Sequence, residues 1–572
     1  MLETEWKYAD LPEPTQVSDL CNQLGIKEDV AQLLINRGIG SFDEAKTFFR
    51  PSFEDLHNPF LMKGMDKAVS RLEEALGNGE KMMIYGDYDV DGTTSVALVY
   101  SFLKDLGEVD FYIPDRYKEG YGLSIAGIDY AKENDISLII ALDCGIRAVD
   151  KVAYANELGI DIIICDHHLP GSTLPAAYAI LDPKQAGCNY PYKELCGCGV
   201  GFKLLQGYCE KNNADFDKLT ARLDLVAVAI AADIVPITGE NRILATFGVQ
   251  QINQNPSTGV RALLEYTKMN REMTISDVVF TIAPRINAAG RIASGKRAVG
   301  LLISDDFEEA LEFSAEISKY NTERRDLDKS VTESALEILE TDDFYTNSRS
   351  TVVFNPDWHK GVVGIVASRL IEQYYKPTIV LTESEGKATG SARSVHDFDV
   401  HAALTECEDL LEQFGGHKYA AGMSLNLENV DAFRLKFEEV VAARIEEHQL
   451  TPKLNIDLEI DLDRITPKFM SLLKQFGPFG PGNMNPVFVS RNLIAEDTRT
   501  MGADNSHLRF KPKQQDVLHS MVQAVAFKMG RLYSELITGK TFDLAYTIEE
   551  NYWKGKVYLQ LNVKDIKFTS KL

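Results

Sequence analysis

Positive charge is what this 572-residue chain is short of: 60 Lys and Arg stand against 85 Asp and Glu, for a formal net charge of -25. A protein that coats polyanions indiscriminately is normally basic, so that class is excluded, whereas a basic groove of modest size inside an acidic exterior is not. Long apolar runs are also missing. No stretch approaches the roughly 20 residues needed to span a bilayer, and Met1-Leu2-Glu3-Thr4-Glu5 has neither the basic nor the apolar region of a signal peptide. A cytoplasmic protein with no membrane role is therefore expected. The 8 cysteines are scattered, several inside apolar runs such as Ala141-Leu142-Asp143-Cys144 and Ile164-Cys165, which suits free thiols in a reducing compartment and argues against disulfides. The tightest group, Cys188, Cys196 and Cys198, offers three sulfurs with only Gly197 between the last two, which argues against a structural zinc. Neither an internal repeat nor a low-complexity linker is found.

The length exceeds what one core supports and implies several domains. Residues 1–78 read as a small helical lead-in, with a helix from Asp66 to Leu76 closed by Gly77. Over 79–240 short apolar strands (Met82 to Ile84, Phe111 to Ile113, and others starting at Leu138 and Asp161) alternate with amphipathic stretches from Thr93 to Leu106 and Ala126 to Asn134. That alternation predicts βαβ crossovers and a parallel sheet. Residues 241–345 read as a helical extension ending in a long charged helix between Asp305 and Glu340. A smaller α/β unit follows over 346–450, with strands from Thr351 to Phe354 and Thr378 to Thr382 and helices from Val362 to Tyr374 and Val400 to Phe414. In 451–572 short runs such as Val487-Phe488-Val489 and Phe542-Asp543-Leu544-Ala545-Tyr546 predict a small β-barrel. The fold class is α/β, followed by that barrel.

Acidic and imidazole groups gather where such a sheet exposes its active edge. Asp87-Tyr88-Asp89-Val90-Asp91-Gly92, Asp143, Asp166-His167-His168 and Asp233 each directly follow an apolar element. In open parallel sheets, turns after separate strands converge at the carboxyl ends of those strands. The alternating Asp87, Asp89 and Asp91 would share one face of an extended strand end. An Asp-rich turn and a calcium loop are the alternatives, but the chain runs straight into an apolar helix without the further ligands of an EF-hand. Adjacent His167 and His168 would diverge, one toward metal and one toward substrate. Asp233 follows the apolar Val226-Ala227-Val228-Ala229-Ile230-Ala231-Ala232, where an ionised carboxylate is costly without a cation. Four Asp and one His suit manganese or magnesium better than zinc, and two such ions support phosphoryl displacement without a protein nucleophile. Pro284-Arg285-Ile286-Asn287-Ala288-Ala289-Gly290-Arg291, Gly390-Ser391-Ala392-Arg393-Ser394 and Gly415-Gly416-His417 are candidate phosphate-binding turns. Arg116 is another candidate, and Arg509, Lys511 and Lys513 around Phe510 suit a groove for unpaired bases.

With these motifs the chain resembles the DHH phosphoesterase superfamily, in particular its single-strand-specific DNA exonucleases, from about Trp6 onward. Gly86 to Gly92 is similar to the first motif, Leu142-Asp143-Cys144-Gly145-Ile146 to the second, Asp166-His167-His168 to the third and Ala232-Asp233-Ile234-Val235-Pro236 to the fourth. Gly415-Gly416-His417 with Ala420-Ala421-Gly422 resembles the signature of the associated DHHA1 domain, and Gly477-Pro478-Phe479-Gly480-Pro481-Gly482-Asn483 the entry to an OB-fold. The resemblance implies a DHH–DHHA1–OB arrangement and 5′ to 3′ exonuclease action on single-stranded DNA in repair and recombination, releasing 5′-mononucleotides with two Mn2+ or Mg2+ ions. By the same resemblance Asp89, Asp91, Asp143, His167 and Asp233 are the metal ligands, and His168 acts on the scissile phosphate, with Asp87 and Arg291 beside it as catalytic groups. It further implies that Arg116, Ser391 and Arg393 bind the 5′-phosphate, and that Arg285, Asn287, Arg291 and His417 follow the bound strand. A monomer working with single-strand-binding protein and a helicase at repair sites is expected. One departure stands out: Tyr85 occupies a position where many relatives carry a histidine, so Asp87 or water would have to compensate at one metal.

Two other readings remain open on the sequence. One is a DHH–DHHA1 phosphodiesterase for short RNA or cyclic dinucleotides, against which the extra barrel counts. The other is a catalytically silent replication-fork scaffold, against which the complete ligand set counts.

Overall fold

A computed structural model describes residues 3–116, 118–267, 269, 271–292, 294–514 and 522–569. The chain forms two compact units, one of Asp10–Asn321 with Asp457–Leu572 and the other of Met1–Ala9 with Thr322–Ile456. It passes between them within the 35-residue helix Phe307–Thr341. Among the described residues, no helix is long and apolar enough to cross a membrane.

In the larger unit five parallel strands lie in the order Val109–Tyr112, Met82–Gly86, Leu138–Leu142, Asp161–Cys165, Ala179–Leu181. The central strands read as unbroken apolar runs because both faces are covered. Met82, Ile84, Leu138, Ile140 and Leu142 enter one core, and Met83, Tyr85, Ile139 and Ala141 enter the core on the opposite face. The strand order reverses direction between Met82–Gly86 and Leu138–Leu142, because the chain goes first to one side and then to the other. Such a switch point opens a crevice at the carboxyl ends of these strands. The first two acidic motifs leave from there.

The first of them does not have the conformation expected from the alternating aspartates. The strand ends at Gly86 and the helix begins at Val90, not Thr93, with Asp89 as its N-cap accepting from the Gly92 amide at 3.0 Å. Asp91 therefore sits in the first helical turn, and its direction is set by helix geometry and not by strand alternation.

The lead-in helices Pro14–Leu24, Glu28–Ile35 and Phe42–Phe49 share a core with the C-terminal barrel. Val17, Leu20, Leu33 and Leu34 pack with Phe469, Phe476, Phe488 and Phe542 in one cluster. The barrel strands run β-sheet order Leu458–Glu459, Phe488–Met501, His507–Gln514, Gln523–Ala526, Lys556–Phe568, Phe542–Trp553 and close through pairing of Phe488–Met501 with Phe542–Trp553. Phe510, read above as a base-stacking ring, is fully buried in that core. Lys511 and Lys513 pair with Asp497 (2.6 Å) and Glu496 (2.9 Å). A strand crossing a barrel wall sends alternate side chains inward, and here the aromatic is the inward one.

Arg242, on helix Gly239–Gln254, joins these parts. Its guanidinium donates to the carbonyls of Phe48 (3.0 Å), Phe476 (2.9 Å) and Gly477 (2.8 Å) and lies 3.7 Å over the Phe48 ring. Burial, with Arg37 nearby, pushes its pKa down to about 10, so it stays cationic and bonded to carbonyl dipoles alone.

The smaller unit carries a five-stranded sheet in the order Gln413–His417, Ala420–Asn426, Lys387–Arg393, Thr378–Ser384, Thr351–Phe354, in which only the last pair is parallel. The helix expected from Val400 to Phe414 stops at Thr405. Leu410, Leu411 and Phe414 have helical spacing, but Phe414 pairs across to Met423, and the neighbouring strand outweighs local periodicity.

Arg242→Ala takes the guanidinium donor from the Phe48 and Gly477 carbonyls and leaves Phe476 with Asn483 alone, and it is expected to destabilise the larger unit by about 2–4 kcal/mol. Pulse proteolysis in urea measures this; an unchanged midpoint would show the clamp to be dispensable.

Candidate metal centre

Four elements bring their ends to one cleft: the start of helix Val90–Leu103, the turns after Leu138–Leu142 and Asp161–Cys165, and the end of helix Leu223–Ala232. The Nε2 atom of His167 sits at the middle of the cluster, 3.2 Å from Asp143 Oδ1, 3.6 Å from Asp233 Oδ2 and 3.8 Å from Asp91 Oδ2. Asp91, His167 and Asp233 form one group able to hold a metal ion, and Asp143, His167 and His168 form a second. Asp89 lines the same cleft with Asp91, Asp233 and Asn287.

Three parts of the cluster are held from behind. Both oxygens of Asp91 accept backbone amides at the start of helix Gly197–Asn212, from Gly197 at 2.6 Å and Cys198 at 2.8 Å, so a helix dipole supports its negative charge. A side chain at Gly197 could not be accommodated, because its Cβ would lie 2.5 Å from that of Asp143. Asp143 itself has φ +58, a left-handed conformation that Asp tolerates better than most residues. Asp166 organises the third turn. Its Oδ1 accepts from the amides of His167 (2.8 Å) and His168 (3.1 Å) and contacts the His168 ring at 2.8 Å, while its Oδ2 accepts from Ile146 (2.9 Å).

The electrostatics follow from crowding. Burial, with Asp89 beside it, pushes Asp91 up to about 7; burial and the same neighbour push Asp87 up to about 8. Asp233, the most exposed of the cluster, is raised to about 8 by desolvation in the cleft and by Asp91 and Asp89. Asp143 is raised well above the usual carboxylate range by burial and by Asp91. Burial and His168 lower His167 to about 3, leaving the neutral imidazole that ligates metal. Burial opposes ionisation of Asp166, but the His168 ring and the amides outweigh it and bring it down to about 2. Burial likewise opposes charge on His168, yet Asp166 raises its pKa.

A divalent cation fits this set. Asp143 Oδ1 and His167 Nε2 are buried with no hydrogen-bond partner, and carboxylates that repel one another into protonation become ionised beside a dication. Oxygen donors with a single imidazole suit Mn2+ or Mg2+. Among the described residues, no cysteine belongs to either metal-capable group. All eight cysteines are free, and the Cys196 sulfur accepts a helix amide from Gly199.

The remaining candidates divide. Arg116 lies with its guanidinium 4.9 Å over the Tyr88 ring, and its charge bears on Asp87. Arg291 bears on the same Tyr88. Pro284 to Arg291 is not a turn but part of helix Ala283–Ile292, so its amides serve the helix and no anion cradle forms there. Its Gly290 allows contact with the loop, since a Cβ would fall 2.6 Å from the Tyr88 carbonyl. Arg285 points to the carbonyls of Thr281 and Tyr266. Ser391, Arg393 and His417 belong to the smaller unit. There the Arg393 guanidinium donates to Ser391 Oγ at 2.7 Å, and Ala420 pairs with both His417 and Arg393, placing those two in one row on one sheet face. Gly415 and Gly416 pair in the strand.

Three groups have roles that the sequence did not assign. Tyr121 donates to the Asp143 carbonyl (3.2 Å) and meets His168 Nε2 at 3.3 Å. The flanking glycines Gly120 and Gly122 were its only signal. Asp166 is the hub of its turn. Tyr85 is fully buried and its hydroxyl donates to the Gly122 carbonyl at 2.9 Å; the Gly122 amide in turn donates to Asp87 at 3.2 Å. Tyr85 thus anchors the loop that carries Tyr121, and Asp87 keeps one buried oxygen without a hydrogen bond.

Comparisons with known proteins follow the same order along the chain. Residues 81–230 match the DHH family N-terminal domain, 347–443 the DHHA1 domain and 456–565 the RecJ OB domain. The single-stranded-DNA-specific exonuclease RecJ of Bacillus subtilis is 39% identical over 558 residues, covering 97% of this chain and 70% of that protein. The Escherichia coli protein of that name is 32% identical over 528 residues, 88% of this chain and 90% of the relative. The crystal structure of RecJ from Thermus thermophilus in complex with Mn2+ matches with a TM-score of 0.86 at 28% identity, over 100% of this chain and 80% of that one.

Metal-free protein is expected to lose stability as pH rises. Asp87, Asp91 and Asp233, at about 8, 7 and 8 when folded, hold protons that an unfolded carboxyl releases near pH 4. Their contribution is therefore complete below about pH 4 and disappears as pH passes through the folded values. Mn2+ must displace those protons, so it should raise the melting temperature more at about pH 8.5 than at about pH 6. Melting curves in chelator and in Mn2+ test this; chelated protein that grows more stable between those pH values contradicts the assignment.

Proposed function

The chain belongs to the RecJ family of single-stranded-DNA-specific exonucleases, and from that premise we propose how its residues divide the work of a metal-dependent hydrolysis of single-stranded DNA. It is a phosphodiesterase that uses Mn2+ or Mg2+. The observation that carries the reading is the convergence of Asp91, Asp143 and Asp233 on His167 Nε2 at the switch point of a parallel sheet.

Asp89, Asp91, Asp143, His167 and Asp233 would hold two ions. Bound there, divalent cations supply a water of lowered pKa and offset charge on the phosphate oxygens. The protein supplies the rest. Asp91, fixed by two helix amides, and Asp143, fixed by its backbone conformation, need no rearrangement to present their oxygens. His168 commits Nδ1 to Asp166 at 2.8 Å and stands 3.9 Å from Asp143, so its role is to offer a cationic ring to the scissile phosphate. Asp87, with a raised pKa and a buried unbonded oxygen, acts beside it as a proton-holding group. Arg116 and Arg291, both at Tyr88, bind phosphate oxygens. Asn287 borders the metal cleft on the strand side, with Arg285 further along the same helix. Ser391 and Arg393 receive the terminal 5′-phosphate, and His417 contacts the strand. Membership of the family supports 5′ to 3′ polarity with release of 5′-mononucleotides. The same premise supports a cytoplasmic monomer acting in repair and recombination beside single-strand-binding protein and a helicase.

Digestion of single strands labelled at either end, of duplexes and of short RNA, each with Mn2+ or Mg2+, tests polarity, substrate and cofactor together. Release of label first from the 3′ end overturns the polarity.

Asp143→Ala and His167→Ala are expected to lower kcat about a thousandfold or more and to lose bound Mn2+ while remaining folded. His168→Ala should keep most Mn2+ affinity by calorimetry and lose about a hundredfold to a thousandfold in kcat, as when one transition-state donor is removed. Equal loss of metal binding in His167→Ala and His168→Ala would mean that the two rings have been assigned wrongly.

A further inference from the structure

Phe280 is 77% exposed, more than any other aromatic ring among the described residues. Its setting makes that exposure a built feature. It lies in the wide π-helical turn Val278–Ile282, between Ile275–Asp277 and Ala283–Ile292. Val278 and Ile282 are buried and hold the turn to the core, so the ring between them points outward. The entrance is pinned as well: Thr274 and Asp277 form a reciprocal capping box, and Arg271 grips both Asp277 oxygens at 2.7 and 2.8 Å. π-turns inserted in helices recur at functional sites.

The helix leads from Phe280 to the chemistry. Asn287, which lines the cleft with Asp89, Asp91 and Asp233, follows seven residues later. That interval is about 10 Å along the helix axis. Stacked nucleotides advance about 3.4 Å each along a strand, so Phe280 stands roughly three nucleotides from the metal cleft.

On the far side, the barrel's last hairpin reaches the same segment. Its strands Phe542–Trp553 and Lys556–Phe568 pair to the tip, with Tyr552 opposite Val557. Tyr552 is 55% exposed, and its hydroxyl is fixed by Glu550, itself paired with Lys474 at 2.5 Å. Tyr552 and Glu549 lie within electrostatic reach of Arg271, the residue that grips the start of the Phe280 turn. Lys554 and Lys556 flank the hairpin turn.

We propose that Phe280 and Tyr552 form a stacking track that holds unpaired bases of the strand beyond the bond being hydrolysed, an inference that rests on the exonuclease reading above. The chemistry favours this occupant. The helix is continuous with the metal cleft, and the exposed Lys556 beside the hairpin turn offers positive charge to a phosphate backbone that the chain's net charge of -25 otherwise repels. Stacking on an aromatic ring needs no net charge and accepts any base. Bases already stacked within a duplex present no free face, so the track also favours single strands.

The experiment measures kcat/KM for single strands that carry either ordinary nucleotides or abasic sites at the third to tenth positions from the attacked end, with wild type, Phe280→Ala, Tyr552→Ala and Phe280→Trp. Each alanine variant is expected to lower kcat/KM on the ordinary strand about tenfold, within the range for one stacked base. The abasic strand should lower it similarly in wild type and should lose little more in the variants, because the lost contact is the same one. Phe280→Trp should restore the rate. Equal losses on ordinary and abasic strands, or no loss on either, overturn the track. Failure of wild type itself to degrade the ordinary strand would instead overturn the exonuclease reading, so the two are distinguished by the first measurement.

Discussion

Like charges forced together at one point are what the rest of this structure accommodates. Four carboxylates and a neutral imidazole meet in one cleft, and without a cation burial, reinforced by the neighbouring carboxylates, raises the pKa of Asp91, Asp143 and Asp233. Such a cluster persists only where each member is held by something stiffer than its own repulsion. Asp91 is held by two amides of a helix N-terminus, Asp143 by its backbone conformation, and the His167 turn by the four contacts of Asp166. The repulsion becomes affinity when a divalent ion enters.

That rigidity comes from the core. Strands Met82–Gly86 and Leu138–Leu142 are buried on both faces, and helix Val90–Leu103 is buried nearly all round. A cleft built on such elements moves little, so the metal ligands keep their spacing. The two adjacent histidines acquire different roles through their surroundings alone. Burial keeps His167 neutral, whereas Asp166 makes His168 basic. Whether each ring carries a charge is thus a property of the turn and not of the residue.

An acidic protein that acts on a polyanion must limit the repulsion between them. On the proposed reading the acid is partly neutralised by the ions it binds, while arginines at Tyr88 and exposed aromatic rings would contact the substrate. The lead-in helices and the barrel share one core, and Arg242 bonds to carbonyls from both. The barrel is therefore a structural part of the larger unit.

The parallel sheet and the residues that converge in it were legible because a buried strand must be apolar along its length, and a turn that follows it is then conspicuous when acidic. The barrel and the smaller α/β unit were legible from their short alternating runs. What the sequence left undecided depended on partners distant in the chain. Asp91 lies in a helix, where strand alternation had been expected, because Asp89 caps a helix that starts three residues early. Phe414 is in a strand because Met423 pairs with it, and Phe510 faces inward because the barrel closes around it. Tyr121 and Phe280 had no local signal beyond neighbouring glycines or none at all, and Tyr85 stood out only as a departure from the histidine of many relatives. Local patterns determine which residues can be buried and which must be solvated or bound to a cation. Only the folded chain decides which groups then meet, because distances such as that from His167 to Asp233 depend on how separate elements pack.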